Sequence, residues 1–197
     1  DGKTYSALSL IIATGAKPKQ LGIPGENEFK GRGVSYCATC DAALYKNKTV
    51  AVVGGGDTAI EEALFLTKFA DKVFVIHRRD KLRATKILQE RTVANKKIYF
   101  IWDSRLMEIK GNKKVESVLV ENILTSVKTK INVDGVFMFV GYNPNTDFLK
   151  NILKLDENGY TITDDEMKTD KAGIFAAGDC RKKLLKQVIT ACSDGAI

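Results

Sequence analysis

The chain has 197 residues, of which 44% are apolar and 28% charged, the balance of an ordinary globular protein of one large or two small domains. No apolar run reaches the length of a membrane span, and the first residues do not read as a signal peptide. The formal charge of +7 is carried by lysines scattered through every segment, such as Lys46, Lys48, Lys96 and Lys97, so it reads as a solvated surface and not as a nucleic-acid patch.

In chain order, Asp1-Gly2 reads as a hairpin turn and Thr4–Ile12 as a strand, ending in Ala13-Thr14-Gly15-Ala16. A linker with Pro18, Gly22, Pro24, Gly25, Gly31 and Gly33 follows. Cys37-Ala38-Thr39-Cys40 then opens a short helix running through Leu44 and Tyr45. Thr49–Val53 is a buried strand, Asp57–Ala70 a helix whose Ile60, Ala63, Leu64 and Phe69 share a face, and Lys72–Ile76 the next strand. Ala84–Ala94 forms a second helix and Ile98–Trp102 a third strand. The texture then changes: Leu106–Ile109, Val115–Val120 and Val127–Val133 alternate as an antiparallel meander. Val136–Val140 is apolar throughout, as in the centre of a parallel sheet, and Gly141–Asn145 forms a second linker. A strand over Gly173–Ala176 runs into Ala177-Gly178-Asp179, and a last helix spans Leu184–Ile197. A chain that starts inside a hairpin and stops in an uncapped helix is expected to be an internal piece of a longer polypeptide.

The cysteines are Cys37, Cys40, Cys180 and Cys192. So few over this length make no secreted disulfide framework, and a reducing, cytoplasmic location is expected. Two thiols separated by two residues close a small, reversible disulfide suited to redox work. Zinc needs a second close pair of ligands; Cys180 and Cys192 are far apart and His77 is the only histidine, so no metal is expected.

Between strand and helix stands Gly54-Gly55-Gly56-Asp57-Thr58-Ala59, a G-x-G-x-x-A pattern. Its first glycine permits the tight turn, the second lets backbone approach a pyrophosphate, and Ala59 allows close helix–sheet packing. The helix N-terminus offers N–H groups and positive dipole to the anion. An NAD site usually carries an acidic residue at the end of the next strand; here stand His77-Arg78-Arg79 and then Arg83. Guanidinium forks bind a 2′-phosphate that a carboxylate would repel, so NADPH is the expected dinucleotide. The plainer reading of that segment is a solvated basic helix start with Asp80 as its N-cap.

With C-A-T-C-D, G-G-G-D-T-A-I-E-E-A, H-R-R-D-K-L-R, G-Y-N-P-N-T and G-I-F-A-A-G-D in this order, the chain resembles bacterial low-molecular-weight thioredoxin reductase, a class II pyridine nucleotide-disulfide oxidoreductase, over essentially its whole length. The resemblance implies an α/β protein with two Rossmann-like dinucleotide-binding domains. In that FAD/NAD(P)-binding fold the NADPH domain is inserted into a split FAD domain, here incomplete. The implied domains are residues 1–20, the end of the first FAD segment; 21–138, the NADPH and redox-disulfide domain; and 139–197, the truncated second FAD segment. The family's first FAD motif has no counterpart, so this piece is expected to hold FAD poorly and to turn over little. Thr14 and Gly15 match the end of the first FAD segment, and Gly178-Asp179 the returning strand whose aspartate bonds the ribityl chain. Lys186-Gln187 stands where the family often has Arg-Gln, with the glutamine near the flavin ring. Packing roles are expected for Cys180 and Cys192.

The implied path runs from NADPH, docked on Gly54, Gly55, Gly56, Asp57, Thr58, His77, Arg78, Arg79 and Arg83, through FAD to the Cys37–Cys40 disulfide and on to thioredoxin. In the family Cys40 is the flavin-proximal sulfur and Cys37 attacks thioredoxin. Asp41 has two compatible readings, a general acid/base for the departing thiolate and a helix-capping carboxylate. The family is typically a homodimer, and its NADPH domain is expected to rotate about linkers near Lys17–Pro24 and Gly141–Asn145. Rival readings are a related reductase fed by ferredoxin, one serving a peroxiredoxin, and a non-catalytic NADP-binding module. The glycine turn and arginines argue against ferredoxin.

Overall fold

The computed structural model describes residues 2–197; Asp1, and with it the expected Asp1-Gly2 turn, lies outside them. The chain divides into two compact units, Gln20–Val140 and a smaller one made of the segment ending at Lys19 together with Gly141–Ile197.

The first elements, β1 (Leu10–Ile12) and β2 (Ala16–Pro18), belong to the smaller unit. Within Gln20–Val140 follow β3 (Val34–Ser35), α1 (Ala38–Asp41), β4 (Thr49–Val53), α2 (Asp57–Leu66), β5 (Lys72–Ile76), α3 (Lys86–Val93) and β6 (Ile98–Ile101). Then come the meander strands β7 (Ser104–Gly111), β8 (Val115–Asn122) and β9 (Lys128–Asn132), and β10 (Gly135–Met138). The smaller unit resumes with β11 (Tyr142–Pro144), β12 (Ile174–Ala176) and α4 (Val188–Ala196).

The larger unit is built on a parallel sheet in the order β3-β10-β4-β5-β6. A strand covered on both faces has no polar side to show, which is why Thr49–Val53 and Lys72–Ile76 read as near-continuous apolar runs. Alternation then divides their side chains. Val50, Val52, Val73 and Val75 point to one core with Ala59, Ile60, Ala63 and Leu66 of α2. Ala51, Val53, Ile76, Val136 and Met138 point to the other, against Leu106, Ile109, Val115, Val118 and Val120 of the meander. Helices, parallel sheet and antiparallel meander are therefore three layers over two cores.

Several boundaries differ from the sequence expectation. The helix expected to reach Ala70 ends at Leu66, because its last N–H groups tighten to nearer carbonyls (Lys68 to Phe65, Phe69 to Leu66) before Asp71 N–H bonds Lys48. The helix expected from Ala84 starts at Lys86 with Thr85, not Asp80, at its N-cap. The N–H groups of Arg83 and Ala84 are both held by the carbonyl of Gly55, at 2.7 and 3.1 Å, and cannot enter a helix on the expected register.

In the smaller unit, only Leu10–Ile12 of the expected strand is formed, since its parallel partner β12 offers three residues. The two expected linkers are partly paired: β2 and β11 form an antiparallel ribbon, Ala16 opposite Pro144 and Pro18 opposite Tyr142. Thr14 and Asn145 extend it, Thr14 Oγ1 donating to the Asn145 carbonyl at 2.7 Å and Asn145 Nδ2 to that of Thr14 at 2.8 Å. The last helix starts at Val188, not Leu184, because Gln187 and Thr190 close a capping box there. Cys192 is exposed, not packed: it shares the outward stripe of α4 with Val188 and Ile189. Cys180 is buried, its thiol directed at the carbonyls of Ala177 and Ile12.

Candidate functional site: a disulfide and a glycine turn in one unit

Cys37 and Cys40 are joined as a disulfide with their Cα atoms 5.3 Å apart. Cys37 is the N-cap of α1, its Sγ accepting the Cys40 N–H at 3.2 Å; Cys37 is half-buried and Cys40 exposed. One helical turn brings Asp41 back beside the pair, its N–H bonded to the Cys37 carbonyl. Asp41 Oδ2 accepts from Ser35 Oγ at 2.7 Å, and that oxygen accepts in turn from the Cys37 N–H at 3.1 Å. Behind α1 lies Glu62 of α2, with Oε2 buried and without a hydrogen-bond partner. Burial pushes its carboxyl above the usual range, partly offset by the N–H groups of Thr39 and Ala38. A further buried carboxylate, Glu26, accepts from the N–H groups of Leu21 and Gly22 and from Tyr36 Oη at 2.9 Å. Burial and this acidic partner push the Tyr36 phenol up to about 12.

The glycine turn sits in the same unit, between β4 and α2, and its three glycines differ. A Cβ on Gly54 would meet the Phe139 carbonyl at 2.6 Å and Ala59 Cβ at 2.7 Å; one on Gly55 would meet the His77 ring at 2.4 Å. At Gly56 only Arg83 Nη2 comes near, at 3.9 Å. Gly54 and Gly55 are thus packed from behind, whereas Gly56, the N-cap of α2 with no side-chain cap, faces open space. Asp57 Oδ1 accepts the Thr85 N–H at 2.7 Å, tying the start of α3 to the turn, and Thr58 is exposed.

His77 is buried beneath Gly55 and edge-on to Trp102. Burial pulls its imidazole below the ordinary value against a backbone bond at Lys81, and Arg83, Arg79 and Arg78 pull the same way, which favours the neutral ring. Arg78, Arg79 and Arg83 are exposed, and among the described residues none forms an ion pair with a carboxylate.

The remaining candidates lie in the smaller unit. Thr14 is exposed and Gly15 has φ 68°, while Gly178 has φ 80°. Asp179 Oδ1 is buried without a hydrogen-bond partner, and Lys183 Nζ is 3.9 Å away. Lys186 lies over the Tyr160 ring, 4.3 Å from its centre, and burial lowers its ammonium below the usual lysine value. Gln187 caps α4. Asp194, which carried no motif, is buried and accepts from Arg181 Nε at 2.8 Å, Lys183 Nζ at 2.9 Å and the Gly178 N–H at 2.8 Å.

Among the described residues no group of three or more His, Cys, Asp and Glu side chains could hold a metal ion, and no helix is long and apolar enough to cross a membrane. Parallel sheet, glycine turn and adjoining cysteine pair define the class: a dinucleotide-fold protein with a redox-type disulfide. The chain belongs to the pyridine nucleotide-disulphide oxidoreductase family, whose model matches residues 1–195. It is 53% identical to a thioredoxin reductase of Peptoclostridium acidaminophilum over 98% of its own length and 63% of that relative's. It is similar to the crystal structure of thioredoxin reductase from Streptococcus pyogenes (TM-score 0.86, 55% identity), covering 95% of this chain and 62% of that one. The Lactococcus lactis thioredoxin reductase in its FR conformation matches with TM-score 0.77 and 51% identity, over 95% of this chain and 62% of that one. The chain thus spans a little over three-fifths of the length of these relatives.

Proposed function

We propose that this chain serves NADPH-dependent reduction of thioredoxin, with Cys37–Cys40 as the disulfide that passes electrons to the partner protein. The observation that carries the reading is the closed Cys37–Cys40 pair at the head of α1, in the same unit as the glycine turn and three guanidinium groups that have no carboxylate partner among the described residues. Residues 21–138 are read as the NADPH domain and residues 1–20 with 139–197 as parts of an FAD domain, in a cytoplasmic homodimer.

Bound here, NADPH supplies a hydride and FAD relays its electron pair. Residues fit both groups. The open approach at Gly56 and the uncapped start of α2 suit a pyrophosphate, and Arg78, Arg79 and Arg83 a 2′-phosphate. The buried Oδ1 of Asp179, ion-paired with Lys183 but with no hydrogen-bond partner among the described residues, suits a ribityl hydroxyl, with Thr14, Gly15, Gly178, Lys186 and Gln187 around the same cofactor. His77 supports the turn from beneath. Once the disulfide has taken two electrons, the Cys37 thiolate attacks one sulfur of the thioredoxin disulfide, and Cys40 resolves the mixed disulfide, leaving thioredoxin as dithiol. Asp41 gives the proton to the departing sulfur and takes it back.

The test follows NADPH consumption by the full-length protein with thioredoxin as acceptor. Activity is expected with NADPH, with no substitution by reduced ferredoxin, and its loss in C40S. Turnover by C40S, or turnover with ferredoxin alone, overturns the reading.

A further inference from the structure

Ser35 lies two residues before Cys37 and is 6% exposed. Its backbone is fixed by the sheet, opposite Phe137 of β10, independently of its side chain. Three contacts meet at its hydroxyl: the Cys37 N–H donates to Oγ at 3.1 Å, Asp41 Oδ2 lies at 2.7 Å, and the Cys37 carbonyl oxygen at 3.2 Å. A serine hydroxyl has one proton, so it serves one of the two acceptors at a time. The shorter contact, to a carboxylate, is the stronger.

We infer that Ser35 is a positioning residue that acts through Asp41, holding one carboxylate oxygen in register with the disulfide while its own oxygen anchors the Cys37 N–H. The inference rests on the acid/base reading of Asp41. With Asp41 ionised, the hydroxyl donates to Oδ2. With a proton on that oxygen, the hydroxyl turns to the Cys37 carbonyl, so no buried donor is orphaned in either state. In the reductive step the S–S bond breaks as it takes up the electron pair that NADPH supplies. One sulfur leaves as thiolate and takes the proton of the Asp41 carboxyl, giving a thiol and a carboxylate, and the Ser35 O–H returns to that carboxylate. The motif around the cysteines does not announce this residue; only the fold, which turns β3 into α1 within two residues, sets its hydroxyl between Cys37 and Asp41.

The test is a double-mutant cycle in the full-length protein, with NADPH and thioredoxin as substrates. S35A is expected to lower kcat about tenfold with KM for thioredoxin unchanged. S35T is expected to restore the rate, and S35A to cost nothing further in a D41N background. If S35A does not fold, S35T against S35V keeps the comparison, since the two differ in the hydroxyl at nearly equal volume. A wild-type rate in S35A beside a slow D41N overturns this inference alone, as does an equal loss in both backgrounds. A wild-type rate in D41N overturns the acid/base reading and this inference together.

Discussion

One buried and one half-buried carboxyl group respond to pH in opposite directions. Burial alone would raise Asp194, but Arg181, Lys183 and the Gly178 N–H outweigh it and hold the carboxyl well below the usual range. A depressed carboxyl contributes stability that is present above the unfolded value of about 3.9 and is lost as pH falls toward the folded one. D194N leaves two partly buried cations, Arg181 and Lys183, without their carboxylate and is expected to destabilise the protein by about 2 kcal/mol at neutral pH. Thermal melts should show that gap closing below about pH 4. Glu62 has the contrary sign: raised by burial, it contributes stability below the ordinary glutamate range and loses it as pH rises through the folded value. E62Q, which has no charge to bury, is expected to melt above wild type at about pH 8, with the advantage shrinking toward about pH 5. A melting point of E62Q below wild type at the higher pH would contradict this account.

Among the elements, the glycine turn makes the sharpest claim. G55A drives a methyl into the His77 ring and is expected to lower the melting point and abolish nucleotide binding together. G56A meets open space and is expected to fold normally while weakening NADP binding, as a titration of the full-length protein would show. Equal melting points for the two variants would refute the distinction. Elements whose pattern came from their own burial were legible in the sequence: β4 and β5 run over the expected residues because both faces are covered. The start of α3 was not, because it depends on a carbonyl at Gly55, 31 residues before the helix, and on Asp57 reaching Thr85. The cysteine pair and the arginines were legible because their chemistry is local. Ser35, Glu62 and Asp194 were hidden because single polar residues acquire meaning only from what the fold sets against them. Glu62 left one trace, its helical spacing from the buried Ala59 and Leu66.

Across the whole chain, order is expected to be uneven. The larger unit carries two cores and a five-stranded sheet, whereas the smaller one rests on a parallel pair of three-residue strands, a short ribbon and a small core. Its Leu8, Ile11, Leu184, Val188 and Ile189 are all exposed. Two-stranded pairs are marginal by themselves, so amide exchange should finish in β1, β12 and α4 well before β4, β5 and β10 begin. Uniform protection along the chain would contradict this.

The ribbon of β2 and β11 has one more implication. The two chain ends from which the larger unit departs are not separate: the Lys19 N–H bonds the Gly141 carbonyl at 2.9 Å. Without residues 20–140, Lys19 and Gly141 could be joined by a tight turn, and the smaller unit would keep an unbroken hairpin. The larger unit is therefore one continuous stretch, residues 20–140, whose entry and exit strands close on each other as a stem within the smaller unit.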